Sequence, residues 1–394
     1  MLLGIGLIFL FGLFASILFQ RLRLPGLLGM LLAGILLGPY GLNWVDSTTL
    51  SISAELRQMA LVFILLRAGL SLRLSDFQQV GRPAVLLCFV PAIFEIGAML
   101  FLAPILLGIS LTEAAVLGAV IGAVSPAVIV PKMLRLMEQG WGTDKKIPQM
   151  ILAGASADDV FVLVLFSAFT GLAAGQSFSL LTFLDIPLSI FFGILAGATA
   201  GILAARLLPR LPVSNSGKLI YLLGCAFLLT SAETLLKNKL PFSGLLAVMA
   251  MGIFFCRKAP DTAEIFTQKL GALWSGAEIL LFVLVGTAVN LPYLGAAGSN
   301  AVLLLFLALL FRCCGVLLCL LGAGFSLKEM LFCAVAYLPK ATVQAAIGAV
   351  PLAMGLSCGS LVLAVAVLSI LLTAPLGAIG IELLYPVCLK QKRT

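Results

Sequence analysis

The sequence predicts an all-α, polytopic membrane protein of about thirteen transmembrane helices, arranged as two inverted five-helix repeats. Three observations predict it. Sixty-two per cent of the 394 residues are hydrophobic and ten per cent charged, which is more apolar surface than one soluble core can hide. Apolar stretches of about 20 residues, the length that crosses a bilayer, follow one another from Met1 almost to Cys388. Lys and Arg fall on alternate sides of these stretches, as topology in membranes demands.

The expected spans are 1 to 20, 26 to 43, 53 to 71, 83 to 108, 111 to 134, 148 to 173, 184 to 207, 217 to 235, 241 to 257, 269 to 291, 299 to 321, 327 to 351 and 359 to 386. The first has no basic region ahead of it, and Arg21 and Arg23 come after it, so it reads as a retained helix and not a cleaved signal. Threading the chain through the spans puts eighteen basic residues on one side. Three, Arg57, Lys237 and Lys239, fall on the other, and Arg67, Arg312 and Lys340 lie inside spans, which accounts for all 24. The N-terminus is therefore expected outside the cell membrane and the C-terminus in the cytoplasm.

Read by position, the formal charge of +8 is a topology signal and implies no nucleic acid. Nine scattered cysteines without a CxxC pair, and no histidine, argue against a disulfide framework, a zinc site, a haem or any other cofactor.

The longest polar connection, Glu138 to Pro148, is an ordinary loop, so residues 1–394 read as one integral membrane domain. Two spans carry a proline in the middle: Pro126 in the fifth and Pro339 in the twelfth. They lie seven spans apart, and an odd offset means opposite directions. This predicts a first repeat of about 26–173, a linker helix 184–207 and a second repeat of about 241–386, with the first helix an extra element.

A proline in mid-span either kinks a helix or breaks it. A break at membrane depth has to be buried or line a cavity, and there the freed carbonyls can ligate a cation. Ser125 and Thr342 offer hydroxyls beside the two prolines. Lys340 is placed to neutralise the carbonyl ends of the half-helices.

Ionisable groups in hydrocarbon cost several kcal/mol unless paired, hydrated or used. Five lie well inside spans: Glu95, Asp158, Asp159, Arg312 and Lys340. Glu95 and Arg312 occupy the middles of counterpart spans in the two repeats, so a stabilising salt bridge between them is the economical inference. Asp158 and Asp159 sit in Gly154-Ala155-Ser156-Ala157-Asp158-Asp159-Val160, among small residues that allow close helix contact. Neighbours on a helix point about 100° apart, so one carboxylate can face an ion cavity while the other turns to a second helix.

Burial and mutual repulsion disfavour the charged forms of this pair. A proton or a desolvated alkali cation relieves both, and the two compete for the same oxygens, which is the chemistry of exchange. Arg67 lies near a span end, where snorkelling accounts for it. Glu278, about ten residues into its span and without an assigned partner, suggests a water-accessible funnel.

The stretches Ala123 to Pro131 and Leu338 to Ala346, the aspartate pair, and Glu95 and Arg312 in Phe94-Glu95-Ile96 and Phe311-Arg312 resemble NHA-type sodium/hydrogen exchangers of the cation/proton antiporter superfamily. The resemblance covers nearly the whole chain. It implies the sodium/proton antiporter fold, with broken helices that cross beside the aspartates, and a homodimer whose protomers each pair a scaffold with a mobile six-helix core working by elevator-type alternating access. It further implies Asp159 as the principal cation and proton site, Asp158 as its neighbour, Glu95 and Arg312 as the bridge and Lys340 as the charge at the crossing. Many electrogenic relatives place a lysine at the Arg312 position, paired with the first aspartate; here Glu95 is available to take the arginine, which favours electroneutral exchange.

The expected activity is thus transport and not enzymatic catalysis: sodium or lithium against protons, for pH homeostasis or salt tolerance, with potassium/proton exchange as the alternative. A sodium-coupled symporter for an organic anion on a similar scaffold is a second alternative. A channel would need a continuous wet path where the sequence offers a midplane site. An intramembrane aspartyl protease would need two carboxylates facing each other from different helices, and these two are consecutive.

Overall fold

The computed structural model describes residues 1–22, 24–72, 81–174, 180–236 and 240–391. Among them the regular structure is helical, with one short helix of the 3-10 type and, in the connections, an isolated bridge between Trp141 and Gln391. In chain order the α-helices are α1 (Leu2–Arg21), α2 (Gly26–Leu37), α3 (Ser47–Ser51), α4 (Ser53–Ser71), α5 (Arg82–Leu87), α6 (Val90–Leu107), α7 (Leu111–Ile121), α8 (Pro126–Glu138) and α9 (Ile147–Ala173). They continue as α10 (Leu180–Leu207), α11 (Asn215–Leu236), α12 (Gly244–Lys258), α13 (Pro260–Thr287), α14 (Leu291–Leu320), α15 (Leu327–Ala336), α16 (Thr342–Gly348), α17 (Val350–Ala353) and α18 (Gly359–Cys388). Eight helical stretches of the described residues are long and apolar enough to cross a membrane. The topology residues Arg23, Arg73, Lys237, Lys239, Lys392 and Arg393 lie outside the described residues.

Each expected span contains helix, with departures: the helix expected over 26–43 ends at Leu37, and the one expected from 299 starts at Leu291. The span 83–108 is divided into α5 and α6, because Pro91 in the first turn of α6 has no N–H to offer the preceding turn. The span expected from 269 starts nine residues earlier, at Pro260. Its opening turns carry Asp261, Glu264 and Lys269, charges that hide a helix from an apolar window. The spans 111–134 and 327–351 are broken, not merely kinked.

The chain forms two compact units. One comprises Met1–Ala54, Ser75–Val162 and Leu281–Thr394, the other Glu55–Leu74 and Leu163–Leu280. The second unit is built on small residues. Along α10, Gly193, Gly197 and Gly201 recur every four residues, and a Cβ on any of them would strike the backbone of Ser243, Ala247 or Met251 in or beside α12. Such a stripe lets two helices approach closely in lipid, where packing and not the hydrophobic effect holds them together.

In the first unit two helices open with the same device. Ser110 caps α7 in a reciprocal capping box with Glu113, and Ser326 caps α15 with Glu329. The two boxes are 216 positions apart. Each helix then runs three turns and stops ahead of its proline: α7 at Ile121, with Ser125 extended before Pro126, and α15 at Ala336, before Pro339. The residue before a proline is driven out of the helical region, so the chain leaves the helix there. It re-enters as α8, with Pro126 in the first turn, and as α16.

Candidate ion site at the two helix breaks

The breaks meet. Ser125 N–H donates to the Pro339 carbonyl at 2.8 Å, so each interrupted backbone satisfies part of the other. Around them the structure gathers Glu95 from α6, Asp158 and Asp159 from α9, Arg312 from α14 and Lys340 from the second break. Glu95, Asp158, Arg312 and Lys340 have no exposed surface, and Asp159 is 7% exposed.

Arg312 is the hub. Its Nη1 donates to Glu95 Oε2 at 2.7 Å and to the Gly122 carbonyl at 2.5 Å, its Nη2 to Asp158 Oδ2 at 3.0 Å, and its Nε to the Tyr337 carbonyl at 2.8 Å. The guanidinium also lies over the Tyr337 ring. Five N–H groups in a rigid fork make such a role possible for arginine and not for lysine. Lys340 Nζ donates to Glu95 Oε2 at 2.6 Å, so one carboxylate oxygen holds two cations.

Two sequence-based expectations are corrected here. The arginine is not drawn away from the aspartates by Glu95, because its fork is wide enough to hold Glu95 and Asp158 together. Lys340 sends its ammonium to Glu95, not to the carbonyl ends of the half-helices. Charge pairing in a dry interior outweighs a half-charge at a helix terminus.

The carbonyls expected to be free for a cation are largely engaged. Gly122 and Tyr337 accept from Arg312, Pro339 from Ser125, and Ala123 and Ile121 from the Gln344 carboxamide at 2.8 and 3.4 Å. Among the described residues six buried side-chain oxygens meet no hydrogen-bond partner: Asp159 Oδ1, Asp158 Oδ1, Ser125 Oγ, Glu95 Oε1, Tyr337 Oη and Gln149 Oε1. Thr342, 2% exposed, opens α16, and no hydrogen bond among the described residues joins it to either aspartate.

The two aspartates are treated differently. Asp158 Oδ2 accepts from the Val124 N–H at 2.7 Å as well as from Arg312. For Asp159 no salt bridge is found among the described residues. The 100° between neighbours on a helix thus turns one carboxylate into the charge network and the other out of it.

Sequence reasoning missed Gln344 and Thr373. Thr373 Oγ1 accepts the Lys340 N–H at 2.8 Å, as Asp158 accepts that of Val124. Val124 to Lys340 is 216 positions, Asp158 to Thr373 is 215 and Glu95 to Arg312 is 217. A search for polar residues at offsets of 215 to 217 would have found Thr373. Gln344 carries only the weaker signal of an amide in an apolar run. In the second unit, the opposite charge acting on the half-buried Glu278 of α13 is Arg67 of α4.

The chain is similar to known proteins over nearly its whole length. The family described as "Sodium/hydrogen exchanger, transmembrane" matches residues 6–385. Sodium/hydrogen exchanger 9B2 of Mus musculus is 34% identical over 383 residues, covering 93% of this chain and 69% of that protein. Sodium/hydrogen exchanger 9B1 of Homo sapiens is 32% identical over 378 residues, covering 92% and 72%. The sodium proton antiporter MjNhaP1 from Methanocaldococcus jannaschii has the same fold, with a TM-score of 0.84 over 98% of this chain and 97% of that one at 22% identity. The chain belongs to the sodium/hydrogen exchanger family, and as a member it is a multi-pass membrane transporter of the cation/proton antiporter kind, not an enzyme.

Proposed function

We propose that the protein exchanges one monovalent cation, sodium or lithium, for one proton, and that Asp159 is the carrier. The observation behind this reading is the unequal treatment of the aspartates: Asp158 is anchored by Arg312 and the Val124 N–H, while Asp159 has a buried oxygen that meets no donor among the described residues.

Glu95, Asp158, Arg312 and Lys340 form a closed set, two anions against two cations. Its net charge is zero, and it needs neither a proton nor a metal ion to balance it. Asp159 beside it takes one positive charge to become neutral, and a proton and a sodium ion each supply one. With Asp158 Oδ1 and Ser125 Oγ as further oxygens, the site suits a small hard cation. One-for-one loading moves no net charge, so exchange is electroneutral.

Loading neutralises the site, and a neutral core crosses the bilayer more cheaply than a charged one. This supports alternating access of the elevator type, in which the loaded core moves and the rest of a homodimer stays. The division of the chain into two compact units supports this reading. The inverted repeats, with bounds near 26–173 and 241–386, and the placement in the cell membrane with the N-terminus outside and the C-terminus in the cytoplasm, belong to the same reading.

The test is reconstitution into vesicles with a trapped pH dye, challenged in turn with sodium, lithium and potassium, with and without a membrane potential. Proton flux is expected to follow sodium or lithium, to saturate and to ignore the potential. Because proton and cation share oxygens, lowering the pH raises the protonated fraction of Asp159 and weakens cation binding. The apparent KM therefore rises by about tenfold per pH unit once the protonated form dominates. Cation flux without proton movement would sink the antiport reading. A rate that follows the potential would sink one-for-one stoichiometry, and a response to potassium alone would reassign the ion.

A further inference from the structure

We infer that Gln344 is a positioning residue of the ion site, acting through the single peptide group between Ala123 and Val124. Gln344 is completely buried near the start of α16. Its Oε1 accepts the Ala341 N–H at 2.8 Å, and its Nε2 donates to the Ala123 carbonyl at 2.8 Å and to that of Ile121 at 3.4 Å. The partners fix which end is oxygen and which nitrogen, since Ala341 N–H only donates and the two carbonyls only accept. One side chain of the second break therefore closes the backbone of both breaks.

The Ala123 carbonyl and the Val124 N–H belong to the same planar peptide. Gln344 holds its oxygen and Asp158 Oδ2 holds its hydrogen. Gripped at both ends, the peptide cannot rotate to aim the carbonyl at a cation or to withdraw the N–H from Asp158. Gln344 thereby does two things for the site. It keeps two carbonyls, of Ile121 and Ala123, out of the cation's ligand shell, and it keeps Asp158 anchored, so that Asp159 carries alone. A shell poor in carbonyls and built on carboxylate and hydroxyl favours the smaller, harder alkali ions. The charged groups around this peptide are Asp158 of α9, Arg312 of α14 on the adjoining Gly122 carbonyl, and Glu95 and Lys340 beyond it.

This inference rests on the exchange reading above, and two substitutions separate it from a merely structural role. Gln344→Ala frees the peptide. The apparent KM is expected to change by about fivefold or more, the size of one lost hydrogen bond, with the ion preference moving toward potassium. Gln344→Glu keeps the acceptor for Ala341 but can donate to Ala123 only while it carries a proton. It should behave like the parent at acid pH and like the alanine variant at alkaline pH. A Gln344→Ala protein with a lower maximal rate but unaltered KM and ion ratios overturns the inference, and so does a Gln344→Glu protein that tracks the parent at every pH.

The parent protein in the same vesicles reports on the exchange reading separately. If it carries no exchange, thermal unfolding of purified Gln344→Glu between acid and alkaline pH still decides the grip on the peptide. A midpoint that falls relative to the parent as pH rises supports it, and one that stays parallel to the parent overturns it.

Discussion

The two helix breaks use one backbone solution with opposite chemistry. Each follows a short helix opened by a Ser-Glu capping box, each has a proline at or within it, and each hands one N–H to a side chain of a later long helix. At the first break the acceptor is the carboxylate of Asp158, with Asp159 next to it; at the second it is the hydroxyl of Thr373. The fixed cations, Arg312 and Lys340, come from the second half of the chain, and the acids Glu95, Asp158 and Asp159 from the first. The difference teaches that one backbone motif can be equipped in two ways, with an acid pair at one copy and a hydroxyl and a lysine at the other.

The sharpest way to break this contrast is Asp159→Asn. The amide keeps the shape and removes the titratable charge, so cation-dependent proton flux should fall to the level of empty vesicles while the protein still purifies as a folded species. Retained cation-stimulated flux would move the carrier elsewhere, with Asp158 the first place to look.

Arg312→Ala is next in size and attacks the counter-charge. It strips donors from Glu95, Asp158, Gly122 and Tyr337 at once, and breaking a buried pair by removing one partner costs about 3–5 kcal/mol. The thermal midpoint should drop clearly, and exchange should fail with it because Asp158 is no longer anchored. An unchanged midpoint would mean that the network does not hold the two halves together.

How much of this could be read from the sequence depends on the kind of information involved. The membrane spans are legible because lipid demands long apolar runs, and the two breaks because proline cannot donate. The meeting of Glu95 with Arg312 is legible because two buried charges of opposite sign at matching places have few other partners. Residue lists count charges, however, and not donors. One guanidinium serving two acids and two carbonyls, or two cations sharing Glu95 Oε2, follows from angles that no spacing records. The same gap explains the carbonyls expected to be free: the donors that occupy them, Arg312 and Gln344, lie 190 and 221 positions away. The early start of α13 was hidden for a simpler reason, since a helix whose first turns hold Asp261, Glu264 and Lys269 leaves no apolar signature there.

The smallest expected effect tests the second break by itself. Thr373→Val keeps the shape of the side chain and removes the acceptor of the Lys340 N–H, leaving a buried donor unmade at a cost of about 1–3 kcal/mol. Stability should fall by that amount and Thr373→Ser should restore it, because the hydroxyl is the only part of the side chain the bond uses. The pH dependence of the cation KM should not move in either variant, since Thr373 has no charge to exchange and Lys340 remains tied to Glu95. A shifted pH dependence in Thr373→Val would mean that the geometry of the second break reaches the titrating carboxylate. The two breaks would then act as a single ion site, with the contrast between them one of degree.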